Sequence, residues 1–111
     1  MTYVHIAGEK IPAALTGSMR DTKWGYRRSE TVRFSAVYAE AADLLTDDAE
    51  WYVTEEYTDE NGETYVIATY DKRDFCIRGD VTYHHNGDVS VKMGALTDAD
   101  INAILTGGFD V

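Results

Sequence analysis

Histidines, one cysteine and spaced acids are the side chains of this sequence that could do chemistry. His84 and His85 are adjacent, so on a continuing strand they would point to opposite faces of the sheet. A zinc site needs further ligands. His5 is remote in sequence, and Cys76 lies in an apolar stretch that favours a buried free thiol. We therefore predict no metal site.

Catalytic and calcium-binding motifs are likewise incomplete or absent in this sequence. Asp59, Asn61 and Glu63 alternate as at the start of an EF-hand loop. However, Thr64 stands where that loop needs glycine, and Tyr70 where it needs a bidentate glutamate. A hairpin turn explains these residues better. The sequence also lacks the motifs of serine hydrolases, zinc proteases, phosphate loops and C-x-x-C redox sites. We predict a protein that is not an enzyme and takes no cofactor.

A basic and aromatic segment, Arg20 to Arg28, is the best candidate for a functional site. Arginine and aromatic residues are enriched at the energetic centres of interfaces. In a second interpretation, Trp24 plugs the end of the sheet while the arginines pair with nearby acids. In a third, the segment holds the anionic substrate of an enzyme. The candidate interface residues are Arg20, Lys23, Trp24, Tyr26, Arg27 and Arg28.

Length and composition predict one domain over residues 1–111. A chain of 111 residues with 44% hydrophobic residues can form a core. No apolar run approaches the length that crosses a membrane. The first residues lack the basic start and apolar region of a signal peptide, so synthesis in the cytoplasm is expected.

The net charge of −10 is unevenly distributed. Residues 1–35 contain six basic and three acidic residues, whereas the rest contains four basic and 17 acidic residues. Nucleic-acid binding is not expected, since it needs a cationic face. One interpretation is a solvated acidic surface with a basic segment folded against it. The other is charge complementarity between subunits.

The stretch from Asp80 to Gly94 predicts a β-hairpin with a defined register. A three-residue loop, His85-Asn86-Gly87, would pair Tyr83 with Val89 and Val81 with Val91. A two-residue turn would mix polar and apolar residues on both faces, so we prefer the three-residue loop. Gly87 then supplies the left-handed residue of a turn followed by a bulge, and His84 lies on the polar face.

A second hairpin is predicted between strands 50–57 and 63–70. We prefer a two-residue turn at Asn61-Gly62, because it places more apolar residues on one face. This register pairs Tyr57 with Val66, Glu55 with Ala68 and Val53 with Tyr70. Cross-strand packing would account for most of the strand tyrosines, and an exposed aromatic patch is the alternative.

The other segments complete an α+β fold. Strands are predicted at 3–6, 10–15, 30–37, 75–84 and 88–93, with residue 12, a proline, restricting the second to an edge or a strand start. Residues 16–29 lack a period and are predicted to form a long irregular loop. Helices are predicted at about 38–45 and 98–105. The second helix begins at the N-cap Thr97, presents an apolar stripe of Ile101, Ile104 and Leu105, and stops at Gly107-Gly108. We expect a mainly antiparallel sheet of about five to seven strands.

Three segments together carry a resemblance. They are DTKWGYR at residues 21–27, YAEAADLL with the following DAEW, and YDKRDF before GDVTYHHNGDVSVKMGALTDAD. The chain resembles small uncharacterised proteins encoded in the structural-gene region of tailed phages and prophages of gut bacteria. The resemblance implies a virion component of the tail or its connector, made in the cytoplasm of the bacterial host. Such a protein would act by self-association or by docking to other virion proteins.

The acidic charge suggests a different class of function. A small acidic protein can mimic DNA and inhibit a host nuclease or another DNA-binding protein. This alternative predicts carboxylates ranked along one elongated face at phosphate-like spacing.

Overall fold

Eight strands form two four-stranded antiparallel sheets in the computed structural model, which describes residues 1–106. Sheet A has the strand order β2-β1-β5-β6, and sheet B has the order β3-β4-β8-β7. The strands are β1 Thr2–Ile6, β2 Glu9–Pro12, β3 Ala14–Asp21, β4 Arg27–Phe34, β5 Trp51–Thr58, β6 Thr64–Asp71, β7 Phe75–Tyr83 and β8 Val89–Ala95. The predicted α+β class is confirmed, but the strands number eight and are divided between two sheets.

The chain passes from one sheet to the other at Ala13. Residues 10–15 were predicted as one strand, whereas β2 ends at Pro12 in sheet A and β3 begins at Ala14 in sheet B. Proline has no N–H to donate to a ladder, so β2 ends there as an edge strand. The Ala13 N–H instead donates to the Thr2 carbonyl at 3.1 Å.

One hydrophobic core lies between the two sheets. Sheet A contributes Val4 and Val53, and sheet B contributes Val32 and Val91, all at most 2% exposed. The largest buried side chains are Trp51, Phe34, Leu45 and Met93. Each such side chain contributes about 1.5–3 kcal/mol by leaving water. The core therefore holds the sheets face to face.

The β7–β8 hairpin has the register predicted from the sequence. Tyr83 pairs with Val89 and Val81 with Val91. The His84 N–H donates to the Asp88 carbonyl at 2.9 Å, which closes the three-residue loop. Gly87 has a φ of +91°, the left-handed conformation predicted for it. Alternation on a half-buried strand fixes register strongly, which is why this prediction succeeds.

The β5–β6 hairpin agrees with its predicted register only near the base. Val53 pairs with Tyr70 and Glu55 with Ala68, but Tyr57 pairs with Tyr65 rather than with Val66. The predicted two-residue turn is replaced by a loop over 59–63, in which Asp59 Oδ1 accepts hydrogen bonds from two backbone N–H groups at 2.9 Å. A bulge at residue 67 absorbs the shift.

Two short helices pack differently from each other. Residues Ala36–Leu44 form a 3₁₀-helix rather than the predicted α-helix, and Leu45 beyond it is fully buried. So short a segment takes its shape from packing rather than from propensity. Helix α1, Asp98–Leu105, has the predicted N-cap, with a capping box between Thr97 and Asp100. The predicted stop at 107–108 lies outside the described residues.

The apolar stripe of α1 faces solvent rather than the core. Ile101, Ile104 and Leu105 are between 42% and 78% exposed. Neither helix in residues 1–106 is long and apolar enough to cross a membrane.

A glycine comparison tests the β7–β8 loop. A Cβ added at Gly87 would lie 2.9 Å from Ala36 Cβ, whereas one at Gly62, which has a φ of +81°, would meet nothing within 4 Å. Gly62→Ala should cost about 1 kcal/mol for its backbone alone. Gly87→Ala should cost about 1–3 kcal/mol more because of the added clash. Urea unfolding measures both, and equal costs would contradict the packing of this loop.

Candidate functional site

The candidate basic segment forms the end of a hairpin, not an irregular loop. The prediction of a loop over residues 16–29 is wrong, because β3 and β4 pair through most of it and leave only residues 22–26 as a connection. Gly17 and Ser18 give β3 no strand signal of their own. Pairing with β4 imposes the extended conformation, as tertiary context often does.

Asp21 organises the connecting loop. Its carbonyl accepts hydrogen bonds from the N–H groups of Trp24 at 3.1 Å and Tyr26 at 2.8 Å. Its carboxylate accepts from the N–H of Lys23 at 3.0 Å and pairs with the Lys92 ammonium at 2.8 Å. The hydrogen bond from Lys92 is the main reason that the pKa of Asp21 lies below its usual value. The loop is therefore fixed at its base.

Trp24 lies flat on the outer face of sheet B. Gly94 follows Met93, whose side chain is in the core, so the Gly94 position faces outward. A Cβ added at Gly94 would lie 2.7 Å from the Trp24 ring, and one added at Gly79 would lie 2.6 Å from it. Gly79 on β7 and Gly94 on the neighbouring β8 therefore form a shallow notch. The notch exists because neither position has a side chain.

Arg27 holds the hairpin to β8 and to helix α1. Its guanidinium stacks over the Trp24 ring at 5.1 Å and donates to the carbonyl of Ala95 at 3.0 Å. It also donates to the Asp100 carboxylate at 2.7 Å. Hydrogen bonding from the Thr97 backbone and then from Arg27 lowers the pKa of Asp100. Only 12% of the Arg27 side chain is exposed, so it acts within the fold.

The remaining candidate residues are exposed, three of them at the tip of the hairpin and Arg28 on β4. Arg20 lies over the Tyr26 ring at 5.0 Å, and Tyr26 is 61% exposed. Arg28 and Lys23 are also exposed, with Arg28 over the ring of Phe75 at 5.5 Å. The structure thus divides the predicted interface: Trp24 and Arg27 belong to the fold, and four residues face solvent.

Tyr26 has an unusual backbone. Its φ is +59°, and the preceding Gly25 has a φ of +65°. A bulky residue is rarely left-handed, and such strain costs on the order of 1–3 kcal/mol. The strained backbone presents the Tyr26 ring beside Arg20 on a loop whose base is fixed by Asp21.

The histidines and the cysteine lie apart from this hairpin. His5 stacks on Tyr52 with ring centroids 4.3 Å apart, and His84 bonds the Ser90 hydroxyl at 2.8 Å on the polar face, as predicted. Among residues 1–106, no group of three or more His, Cys, Asp or Glu could hold a metal ion. Cys76, predicted buried, is only partly buried. Burial, followed by the charge of Asp48, raises the pKa of its thiol.

The strand tyrosines differ from the main expectation. Cross-strand packing was to account for most of them, and Tyr57 does pair with Tyr65. Nevertheless, all five are between 44% and 79% exposed: Tyr52, Tyr57, Tyr65, Tyr70 and Tyr83. Alternation alone cannot distinguish a buried face from a face that no second layer covers. The alternative expectation, an exposed aromatic patch, agrees better with these exposures.

Comparison of the chain with protein-family models, with curated proteins and with solved structures finds no match. Function is therefore inferred from the residues and geometry of this chain.

A double-mutant cycle tests the glycine notch. Gly79→Ala should cost about 1–3 kcal/mol, because the new methyl group overlaps the Trp24 ring. In a Trp24→Ala background the same change should cost about 0.5 kcal/mol or less, which would show coupling between the two sites. Unfolding in urea gives all four free energies.

Gly17→Ala is the matched control for this cycle. Its added Cβ meets only the flexible Glu30 carboxylate at 3.3 Å, so its cost should not depend on residue 24. Equal costs of Gly79→Ala in both backgrounds would show that Trp24 does not occupy the notch.

Proposed function

We propose that this chain is a non-enzymatic phage or prophage structural or tail-assembly protein that docks to another virion protein through the tip of its β3–β4 hairpin. The virion context comes from the sequence resemblance. The observation that carries the docking site is the exposed Arg20–Tyr26 pair, held on a strained turn with a fixed base.

Rigid presentation favours binding through this tip. Ordering a flexible side chain on binding costs about 0.5–1.5 kcal/mol, and a preorganised loop avoids part of that cost. Tyrosine and arginine dominate the energetic centres of interfaces. Glycine would adopt the left-handed backbone at residue 26 without strain, yet a tyrosine stands there, and a binding role for its exposed ring accounts for that residue.

Charge indicates the chemistry of the partner. The exposed tip carries Arg20 and Lys23, and Arg28 lies next to it on β4, over the ring of Phe75, in a chain whose net charge is −10. An acidic partner surface with a slot for one aromatic ring fits this tip. Complementary charge would speed encounter and exclude basic partners.

The cleft beside the hairpin bears on the rival enzyme interpretation. A cavity of about 520 Å³ is lined by Arg28, Arg73 and Cys76, together with acids and apolar residues. A nucleophilic cysteine needs a lowered pKa, whereas burial raises the pKa of Cys76. Cys76 is therefore unsuited to serve as the nucleophile of an enzyme at this cleft.

The DNA-mimic alternative rests on the acidic charge. Six carboxylates form ion pairs with cations of the same chain, namely Asp21, Glu30, Glu56, Asp71, Asp88 and Asp100. Each of these six carboxylates could act as a phosphate mimic only by giving up an ion pair within the chain. Inhibition of nucleases by the purified chain at low salt would favour the alternative.

Binding to the products of the adjacent structural genes tests the proposal. Each product is made recombinantly and titrated against the chain by biolayer interferometry. We expect one of them to bind, and Arg20→Ala combined with Tyr26→Gly to weaken that binding by about tenfold or more. Tyr26→Gly alone should leave the free energy of unfolding unchanged or raise it, because glycine relieves the left-handed strain.

Tyr83→Ala is the control for the tip, since Tyr83 is 79% exposed on the separate β7–β8 hairpin. It should bind like the wild type. No binding by any neighbouring product, or equal binding by the tip variant, would refute the docking site.

A further inference from the structure

Strand β6 differs from the other three edge strands. Edge strands are normally protected by short length, proline, charge or bulges. β2 has four residues and ends at Pro12, whereas β3 carries Arg20 and β7 carries Arg78 within the strand. Register shifts do not distinguish these strands, because the ladders of β3, β6 and β7 each contain at least one. β6 has eight residues, and its segment Thr64–Tyr70 contains no charge.

The side chains of β6 are exposed on both faces. Val66 and Ile67 are 57% and 67% exposed, and Tyr65 and Tyr70 are about half exposed. Only Ala68 is partly buried. Within residues 1–106, β6 hydrogen-bonds to β5 alone, so its outer backbone groups face solvent. Threonine, tyrosine, valine and isoleucine are strong strand formers, which suits this segment to pairing with another strand.

We propose that β6 is a self-association edge, on which a second copy of this chain pairs antiparallel and extends sheet A across a two-fold axis. A C2 contact uses the same surface on both copies, so the strand must complement itself. With the axis between residues 67 and 68, Tyr65 faces Tyr70 of the second copy. Val66 then faces Thr69, and Ile67 faces Ala68. Every pair in the centre of the contact is uncharged.

The ends of β6 favour an antiparallel copy by charge. Glu63 precedes the strand, and Lys72 and Arg73 follow it. In the register above, Glu63 of one copy lies opposite Lys72 of the other. The Lys72 ammonium is held by Glu30 at 2.8 Å and its side chain is only 16% exposed, so the neighbouring Arg73 is the cation that can meet Glu63. The Arg73 side chain is 65% exposed and is available there, although it also pairs with Asp71 at 2.6 Å. A parallel arrangement would instead place the Glu63 side chains together.

Net charge limits where two copies can meet. At −10 each, two copies repel, so a contact is favoured where the surface carries least charge. The uncharged run of β6 meets that condition. The bulge at Ile67 divides the β5–β6 ladder into residues 64–66 and residues 68–71. In the proposed dimer, residues 64–66 of each copy pair with residues 69–71 of the other copy.

Sedimentation velocity over about 1 μM to 1 mM tests this edge. The wild type should show a reversible monomer–dimer equilibrium. Ile67→Lys places two like charges at the axis and should weaken association by about tenfold or more, with an unchanged circular dichroism spectrum. Met19→Lys is the matched control, because Met19 is 80% exposed on the edge strand β3. It should associate like the wild type.

Covalent trapping identifies the register. In a Cys76→Ser background, Ala68→Cys should give a disulfide-linked dimer on mild oxidation, and Met19→Cys should not. A wild type that stays monomeric to about 1 mM would overturn the proposal. So would equal association of the Ile67→Lys and Met19→Lys variants. The tip variant of Arg20 and Tyr26 should still dimerise, which separates this edge from the docking tip.

Discussion

The contact between Trp24 and two glycines is the constraint on which the rest of the candidate site depends. The indole can lie on sheet B only because Gly79 and Gly94 have no side chains beneath it. Arg27 then stacks on the ring and reaches both β8 and α1. One aromatic contact thus fixes the hairpin, the outer face of sheet B and the start of the last helix relative to one another.

This constraint separates structural from accessible residues within one short segment. The half that packs on the sheet is used for stability, and the half at the tip remains available to a partner. The Asp21 network fixes the base of the tip and thereby holds Tyr26 in its left-handed conformation. Strand β6 is an edge strand of the other sheet, and most of its side chains are exposed. The protein therefore presents two separate surfaces of different character, one cationic and one uncharged.

Local patterns predicted several elements correctly. The β7–β8 register followed from alternation and from the glycine at residue 87, and the α1 N-cap followed from Thr97. β3 was missed because Gly17 and Ser18 carry no period, and its extended form depends on β4. The β5–β6 register failed beyond Glu55, since a bulge changes register without changing residue types.

Long-range arrangement was the harder part of the fold. Pro12 indicates the end of a strand, but no local pattern indicates that the next strand joins a different sheet, so two sheets were predicted as one. For the basic segment, one of the interpretations from sequence was that Trp24 packs against the sheet, and the structure places it there. Arg27 is the arginine that packs within the fold, because its guanidinium donates to Ala95 and Asp100. These partners lie about 70 residues away in sequence, so no local pattern identifies Arg27. The exposure of β6 depends on how far sheet B extends over sheet A, which no local pattern indicates.

Proton NMR of the two glycines tests the central contact most directly. The Hα resonances of Gly79 and Gly94 should be shifted upfield by the Trp24 ring current, with cross-relaxation between those protons and the indole Hη2. Both effects should disappear in Trp24→Ala while the dispersion of the other amide signals persists. Ordinary glycine shifts with no contact to the indole in the wild type would show that Trp24 does not anchor the hairpin, and the division between fold and tip would then be wrong.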